Sequence, residues 1–219
     1  MLCLRKKIRL EFASGHKPCF LSAFMKMWQF SVIICLFLTS FRTLSANDSQ
    51  YSVIVSVPDQ KMVIVGNSVP IAEFPVSTSK YGVGDHRGSY TTPLGSLEVA
   101  QKIGANAPLG AVFKGRHFTG EILPPNAQGR DPIVTRILWL RGLESQNDNA
   151  YQRGIYIHGT PVERAIGRPA SYGCIRMRSR DVVKVFDIIG VGTKVNVLNL
   201  SVRRALAQLT SSQQHLAQL

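Results

Sequence analysis

Short β-branched runs punctuated by turn residues constrain this chain more than any other feature. Val53-Ile54-Val55-Ser56-Val57 is followed by Pro58-Asp59-Gln60 and then by Lys61-Met62-Val63-Ile64-Val65. Gly66-Asn67-Ser68 makes a second turn signal, and Val69 to Ser77 a third run, interrupted by Pro70 and Pro75. Runs of this length and composition, bounded by Gly, Pro, Asn and Asp, read as strands joined by tight turns. Proline cannot donate to a central ladder, so the third strand belongs at an edge or in irregular geometry. The domain therefore opens as a meander of short antiparallel strands, and the expected class is mainly β.

Further along, residues 78–96 are polar and glycine-rich, with Ser79-Lys80-Tyr81-Gly82-Val83-Gly84-Asp85-His86-Arg87-Gly88 and then Thr91-Thr92-Pro93-Leu94-Gly95. Glycine is too frequent there for a strand interior, which predicts a loop packed close against something. Leu97 to Ile103 reads as the next strand. Residues 104–132 form a long connection with room for one or two short strands and for one wall of a groove. Ile137-Leu138-Trp139-Leu140, within 133–143, predicts a buried strand, and Gly154 to His158 another. Helical spacing enters at Val182, Val185, Phe186 and Ile189. Ser179 is the expected N-cap of that helix, Asp181 favours its positive end, and Gly190 closes it. Residues 192–198 read as a closing strand. The weak stripe Val202, Leu206, Leu209, Leu216 and Leu219 predicts a C-terminal appendage of marginal order over 201–219.

Residues 1–46 stand apart from this pattern. Phe30 to Leu38 is apolar, preceded by Lys26 and followed by Leu44-Ser45-Ala46. The run is short for a membrane span but has the length of a signal-peptide core with a small-residue cleavage site. Export to the periplasm or cell envelope is the expectation, with an uncleaved anchor as the alternative. Cleavage would remove Cys3, Cys19 and Cys35 and leave Cys174 alone, unable to form an internal disulfide. The whole chain carries 26 Lys and Arg against 13 Asp and Glu; without residues 1–46, 19 and 12 remain. That moderately basic surface suits an anionic polymer such as a cell wall. The basic residues are scattered without an aromatic–basic reading motif, which argues against nucleic acid. One domain spans residues 47–200.

The chemistry concentrates in 155–176. A β run, Ile155-Tyr156-Ile157-His158, delivers a histidine beside Gly159, and Cys174 follows Gly173 with Arg176 two residues on. An imidazole that takes a thiol proton creates a thiolate nucleophile, and the ion pair so formed lowers the thiol pKa. Gly173 permits a sharp turn, so the N–H groups of Gly173 and Cys174 are expected to converge on a developing oxyanion. Arg176 is expected beside the thiol, holding the thiolate or a substrate carboxylate. Composition alone leaves a structural loop with a buried thiol equally open. His86 and His117 lack companions at metal-ligand spacing and read as solvated loop histidines.

His158-Gly159-Thr160, followed by Ile166-Gly167-Arg168-Pro169-Ala170-Ser171-Tyr172-Gly173-Cys174-Ile175-Arg176-Met177, resembles the signature of the L,D-transpeptidase (YkuD-like) catalytic domain. The resemblance extends through Thr92-Pro93-Leu94-Gly95, Ile137-Leu138-Trp139-Leu140 and Gly192-Thr193-Lys194-Val195, and so covers roughly residues 51–200. It implies a mainly β fold, a sandwich or barrel of mixed strands with a short helix after the cysteine. It also implies an exported, monomeric enzyme without metal or organic cofactor that acts on peptidoglycan stem peptides, with a wall-linked lipoprotein as a further acceptor. Carried over, Cys174 is the nucleophile and His158 the base. Backbone N–H groups at Tyr172, Gly173 and Cys174 form the oxyanion hole, and Arg176, Gly159 and Ser171 line the site. Ser171 is expected to bond local backbone. The chain departs from the family pattern at Tyr172, where histidine is usual; tyrosine keeps a hydrogen-bonding tip and a flat wall, and bears on acceptor preference.

Overall fold

The computed structural model describes residues 50–216, with side chains placed for residues 50–209 and Ser211. The expected export segment, 1–46, and with it Cys3, Cys19 and Cys35, lies outside the described residues. Ten strands form one mixed sheet: β1 Tyr51–Ser56, β2 Lys61–Gly66, β3 Val69–Pro75, β4 Gly95–Ile103, β5 Ala111–Lys114, β6 His117–Ile122, β7 Ile133–Gly142, β8 Tyr156–Gly159, β9 Ile175–Met177 and β10 Lys194–Leu198. Its order is β3-β2-β1-β10-β4-β7-β5-β6, with β8 branching from β7 and carrying β9 at its outer side. The sheet begins at β3 and ends at β6 without joining them, so the mixed β architecture is present but the barrel is not closed.

The opening meander is as the turn chemistry dictates: β1 pairs antiparallel with β2, and β2 with β3. The closing strand β10 lies parallel to β1 and antiparallel to β4, stitching the two halves of the chain together. Alternation along the strands then divides the core between two faces. Val53, Val55, Met62, Ile64, Val195 and Val197 point to one face, where helix α1, Ser179–Ile188, buries Val182, Val185 and Phe186 against them. Ile54, Val63 and Val65 point to the other, where helix α2, Val202–Leu216, seats Ala205 with Val202, Leu206 and Leu209 around it. The C-terminal stripe is thus docked over 202–209, where marginal order was expected. Asp59, in the β1–β2 turn, caps α2 by accepting the Val202 N–H at 2.7 Å.

Two local departures bear on the site. Helix α1 starts with Arg178 as N-cap and Ser179 as its first residue, one residue earlier than the sequence expectation. The capping acceptor comes from a distant residue: Glu163 Oε1, in the 3-10 turn Glu163–Ala165, accepts the Ser179 N–H at 2.9 Å. A carboxylate there also suits the helix dipole. In β7 the register shifts between Val134 and Ile137, opposite β8. Thr135 takes φ +73° at this irregularity, a strained conformation for a β-branched residue. Gly159 makes the crossing possible, because a Cβ there would sit 2.6 Å from Val134 O.

Candidate active site

Strand β8 is buried along its whole length, and its third residue is His158. Strand β9 runs parallel to it, with His158 in register with Arg176. Cys174 lies immediately before β9, so the parallel pairing carries the cysteine loop to the strand that bears the histidine. A cavity of about 130 Å³ is lined by His158, Cys174, Arg176, Ser171, Tyr172, Asp131 and Ile133. A larger one, about 480 Å³, lies between residues 109–125 and the start of α1 and contains neither His158 nor Cys174.

The cysteine loop is held from both sides. Ser171 Oγ donates to Cys174 O at 2.6 Å and accepts the Gly173 N–H at 3.2 Å. Thr92 Oγ1 donates to Gly173 O at 2.9 Å. Gly173 takes φ +118°, and a Cβ there would lie 3.2 Å from Thr91 O and 3.3 Å from Ile155 Cδ1. The position therefore requires glycine. The glycine-rich stretch 78–96 is the neighbour that closes on the cysteine. Ser171 accordingly bonds local backbone, and the Gly173 N–H reaches a substrate oxygen only by giving up the long bond to its hydroxyl.

Protonation is where the structure departs most from the sequence expectation. Cys174 Sγ accepts from Tyr156 N and donates to Gly154 O, each at 3.4 Å, and packs beside Ala111, Phe113, Ile137 and Tyr156. Burial among these groups pushes the thiol up to about 11, against opposing pulls from the Tyr156 N–H and the Arg153 and Arg176 charges. Burial likewise pushes His158 down to about 4; Arg176 adds to this, while Gly159 O and Asp131 oppose it. Burial thus disfavours the thiolate and the imidazolium alike, and so works against the ion pair expected from sequence. No hydrogen bond joins the two side chains among the described residues. His158 Nδ1 lies 2.8 Å from Gly159 O. A carbonyl only accepts, so Nδ1 carries the proton and Nε2 the lone pair. Gly159 thus acts on the imidazole through its carbonyl.

Arg176 is also differently employed. Its guanidinium is buried, ion-paired to Asp131 through Nη1 and bonded to Ser77 Oγ at 3.3 Å through Nη2. Its Nε is buried without a partner. Arg176 lines the cavity as expected, but its terminal nitrogens Nη1 and Nη2 each bond a protein group, and its charge favours the thiolate through its field. Two contributors escaped sequence reasoning. Asp131 joins Arg176 to the Thr160 hydroxyl, which donates to it at 2.5 Å. Buried Arg153 is ion-paired to Asp85 and donates to Ser89 O and Thr91 O at 3.0 and 2.7 Å, so its charge sits beside the thiol while it pins the 84–91 loop. Asp131 lies in a long connection without periodicity; Arg153 could have been sought as the residue before Gly154, whose carbonyl takes the thiol. His86 and His117 are exposed and do not line this cavity.

Residues 50–197 match the family described as YkuD, L,D-transpeptidase catalytic domain. The chain belongs to that family. It is 41% identical over 51 residues to the Escherichia coli protein named "Probable L,D-transpeptidase YcfS", covering 23% of this chain and 16% of that one. It is 43% identical over 47 residues to the Salmonella typhimurium protein named "Probable L,D-transpeptidase ErfK/SrfK", covering 22% and 15%. The matched stretches thus span about a sixth of these relatives. Among solved structures it resembles an L,D-transpeptidase from Mycobacterium smegmatis, with 14% identity, a TM-score of 0.45, and coverage of 68% of this chain and 58% of that one. In this L,D-transpeptidase domain Tyr172 stands exposed at the lip of the cavity, its hydroxyl accepting from Lys80 Nζ at 3.2 Å.

Proposed function

We propose that this protein is an exported enzyme that remodels peptidoglycan through a Cys174 thioester. The observation that carries the reading is the 130 Å³ cavity in which Cys174 and His158 meet, with the imidazole held so that Nε2 is its basic nitrogen. In the proposed reaction Sγ attacks the amide carbonyl between the L-centre of the third stem residue and the terminal D-alanine. The thiol proton passes to His158 Nε2 as the S–C bond forms, and N–H groups of the 172–174 loop receive the oxyanion. Collapse breaks the C–N bond, and His158 returns the proton to the departing D-alanine amine. A side-chain amine from a neighbouring stem, or from a wall-linked protein, then attacks the thioester. Its proton passes to His158, the C–S bond breaks and the thiol is restored.

A neutral resting state fits this sequence of events. A desolvated thiol keeps its proton until a carbonyl is in place, so the nucleophile forms only where it is used. His158, pushed below its ordinary pKa by burial, has its Nε2 lone pair free at neutral pH, and it takes the thiol proton only as the S–C bond forms and the thiol becomes acidic.

The test is incubation of the purified protein with muropeptides bearing tetrapeptide stems, with products followed by mass spectrometry and Cys174→Ala and His158→Ala as controls. Cross-linked dimers that have lost one D-alanine, absent with either variant, are the expected result. Tripeptide stems alone would make water the acceptor and the enzyme an L,D-carboxypeptidase. Absence of any cysteine-dependent product from folded protein would refute the reading and leave a wall-binding module.

A further inference from the structure

Beside the cavity, three tyrosines form an exposed platform. The rings of Tyr81, Tyr90 and Tyr172 lie with centroids 5.6–5.8 Å apart, each pair in contact, and each residue is more than half exposed. Exposed aromatic clusters of this kind mark binding surfaces. Lys80 Nζ sits over two of the faces, 5.1 Å from the Tyr81 centroid and 4.5 Å from that of Tyr172, and donates to the Tyr172 hydroxyl. No carboxylate pairs with Lys80 among the described residues.

The platform is tied to the reacting loop. The Lys80 N–H donates to Ser171 O at 3.1 Å, Ser79 and Ser171 form a parallel bridge, and Tyr90 O lies 3.6 Å from where a Gly173 Cβ would be. Tyr172 is two residues from Cys174. Lys80 is therefore held at both ends, by its backbone on the cysteine loop and by its ammonium on two rings. A lysine so held has already given up much of the rotamer freedom that a surface ion pair ordinarily costs. The resident ammonium repels a second cation from the ring faces. The Tyr172 hydroxyl, accepting from Lys80, still has its own proton to donate.

We propose that Lys80 and the Tyr172 hydroxyl form a carboxylate-binding subsite at the lip of the thiol cavity. The inference rests on the transpeptidase reading and specifies its substrate. Two carboxylates have the required chemistry: the C-terminal carboxylate of the stem peptide being cleaved, and one borne by the incoming amine.

Two arms separate these sources. In the first, Cys174 acylation is timed by mass spectrometry with a tetrapeptide stem ending in D-alanine and with the same stem ending in D-alaninamide. In the second, the preformed acyl-enzyme is offered glycine or methylamine. Each arm reads a preference for the carboxylate-bearing partner over its neutral counterpart, in wild type and in Lys80→Met, Lys80→Arg and Tyr172→Phe. In one arm the wild-type preference should exceed that of Lys80→Met by about fivefold or more. Lys80→Arg should retain most of it, and Tyr172→Phe should give a smaller fall. The arm that responds identifies the source. Preferences within about twofold of wild type for Lys80→Met in both arms would overturn the subsite. Failure of wild type to form any Cys174 adduct would overturn the transpeptidase reading and the subsite together, a result distinct from adducts formed without preference.

Discussion

The resting charge state of Cys174 can be read by alkylation. Haloacetamides react with the thiolate, so the rate follows the thiolate fraction. Burial pushes this thiol from 9.0 up to about 11. At pH 7 the thiolate fraction therefore falls from about one in a hundred to about one in ten thousand, equivalent to about 3 kcal/mol. A more basic thiolate is also the better nucleophile. With a Brønsted slope of about 0.4–0.5, two pKa units return roughly tenfold. The net expectation at pH 7 is modification about tenfold slower than in the same protein unfolded in urea. Below pH 10 the rate should rise about tenfold per pH unit, without a plateau, towards an inflection near 11. His158→Ala should leave that slope unchanged up to pH 10, because the neutral imidazole contributes no charge. The assay is mass-spectrometric adduct formation from pH 6 to 10. An inflection below about pH 8 that moves upward on His158→Ala would show a thiolate–imidazolium pair and refute the neutral resting state.

Other consequences follow from the same geometry. His158 titrates near 4 folded and near 6.5 unfolded, so between these values the unfolded chain binds more protons and stability falls as pH drops. About 3 kcal/mol present above pH 6.5 should be lost by pH 4, and denaturant titrations of His158→Gln should lack this part of the pH dependence. Gly173→Ala places a Cβ 3.2 Å from Thr91 O at φ +118°, and should cost about 1–3 kcal/mol in urea unfolding and slow Cys174 acylation more than tenfold. Asp131→Asn removes the carboxylate from buried Arg176, and should cost about 2 kcal/mol by the same measurement, less than a fully buried pair because Asp131 is partly exposed. A second substitution at Arg176, to methionine, should recover part of that loss.

Local chemistry determined most elements of this protein by itself, although β9 is too short a run to read and β5 and β6 could not be placed within 104–132. The turn residues at 58–60 and 66–68 set the opening meander, and the apolar spacing from Val182 to Ile189 set helix α1, because those signals act over a few residues. The same short-range reading placed His158 on a strand and Cys174 in a glycine turn, and the motif they form sufficed to indicate the family. Where a signal depended on a distant partner, local reading missed it. Glu163 displaced Ser179 as the capping acceptor, Asp59 anchored a terminal helix whose stripe looked weak, and Asp131 took up the arginine that composition had offered to substrate. Closure of the sheet likewise depends on which strands end at its edges, and no single strand encodes that. The charge state of the site is the clearest case. A histidine and a cysteine in sequence suggest an ion pair, but whether the pair is charged depends on how much water reaches it. Tertiary packing decides that, by placing the thiol against Phe113, Ile137 and Tyr156 and burying the imidazole between β7 and β9. Desolvation is a sum over neighbours distant in sequence, and only the folded chain assembles it.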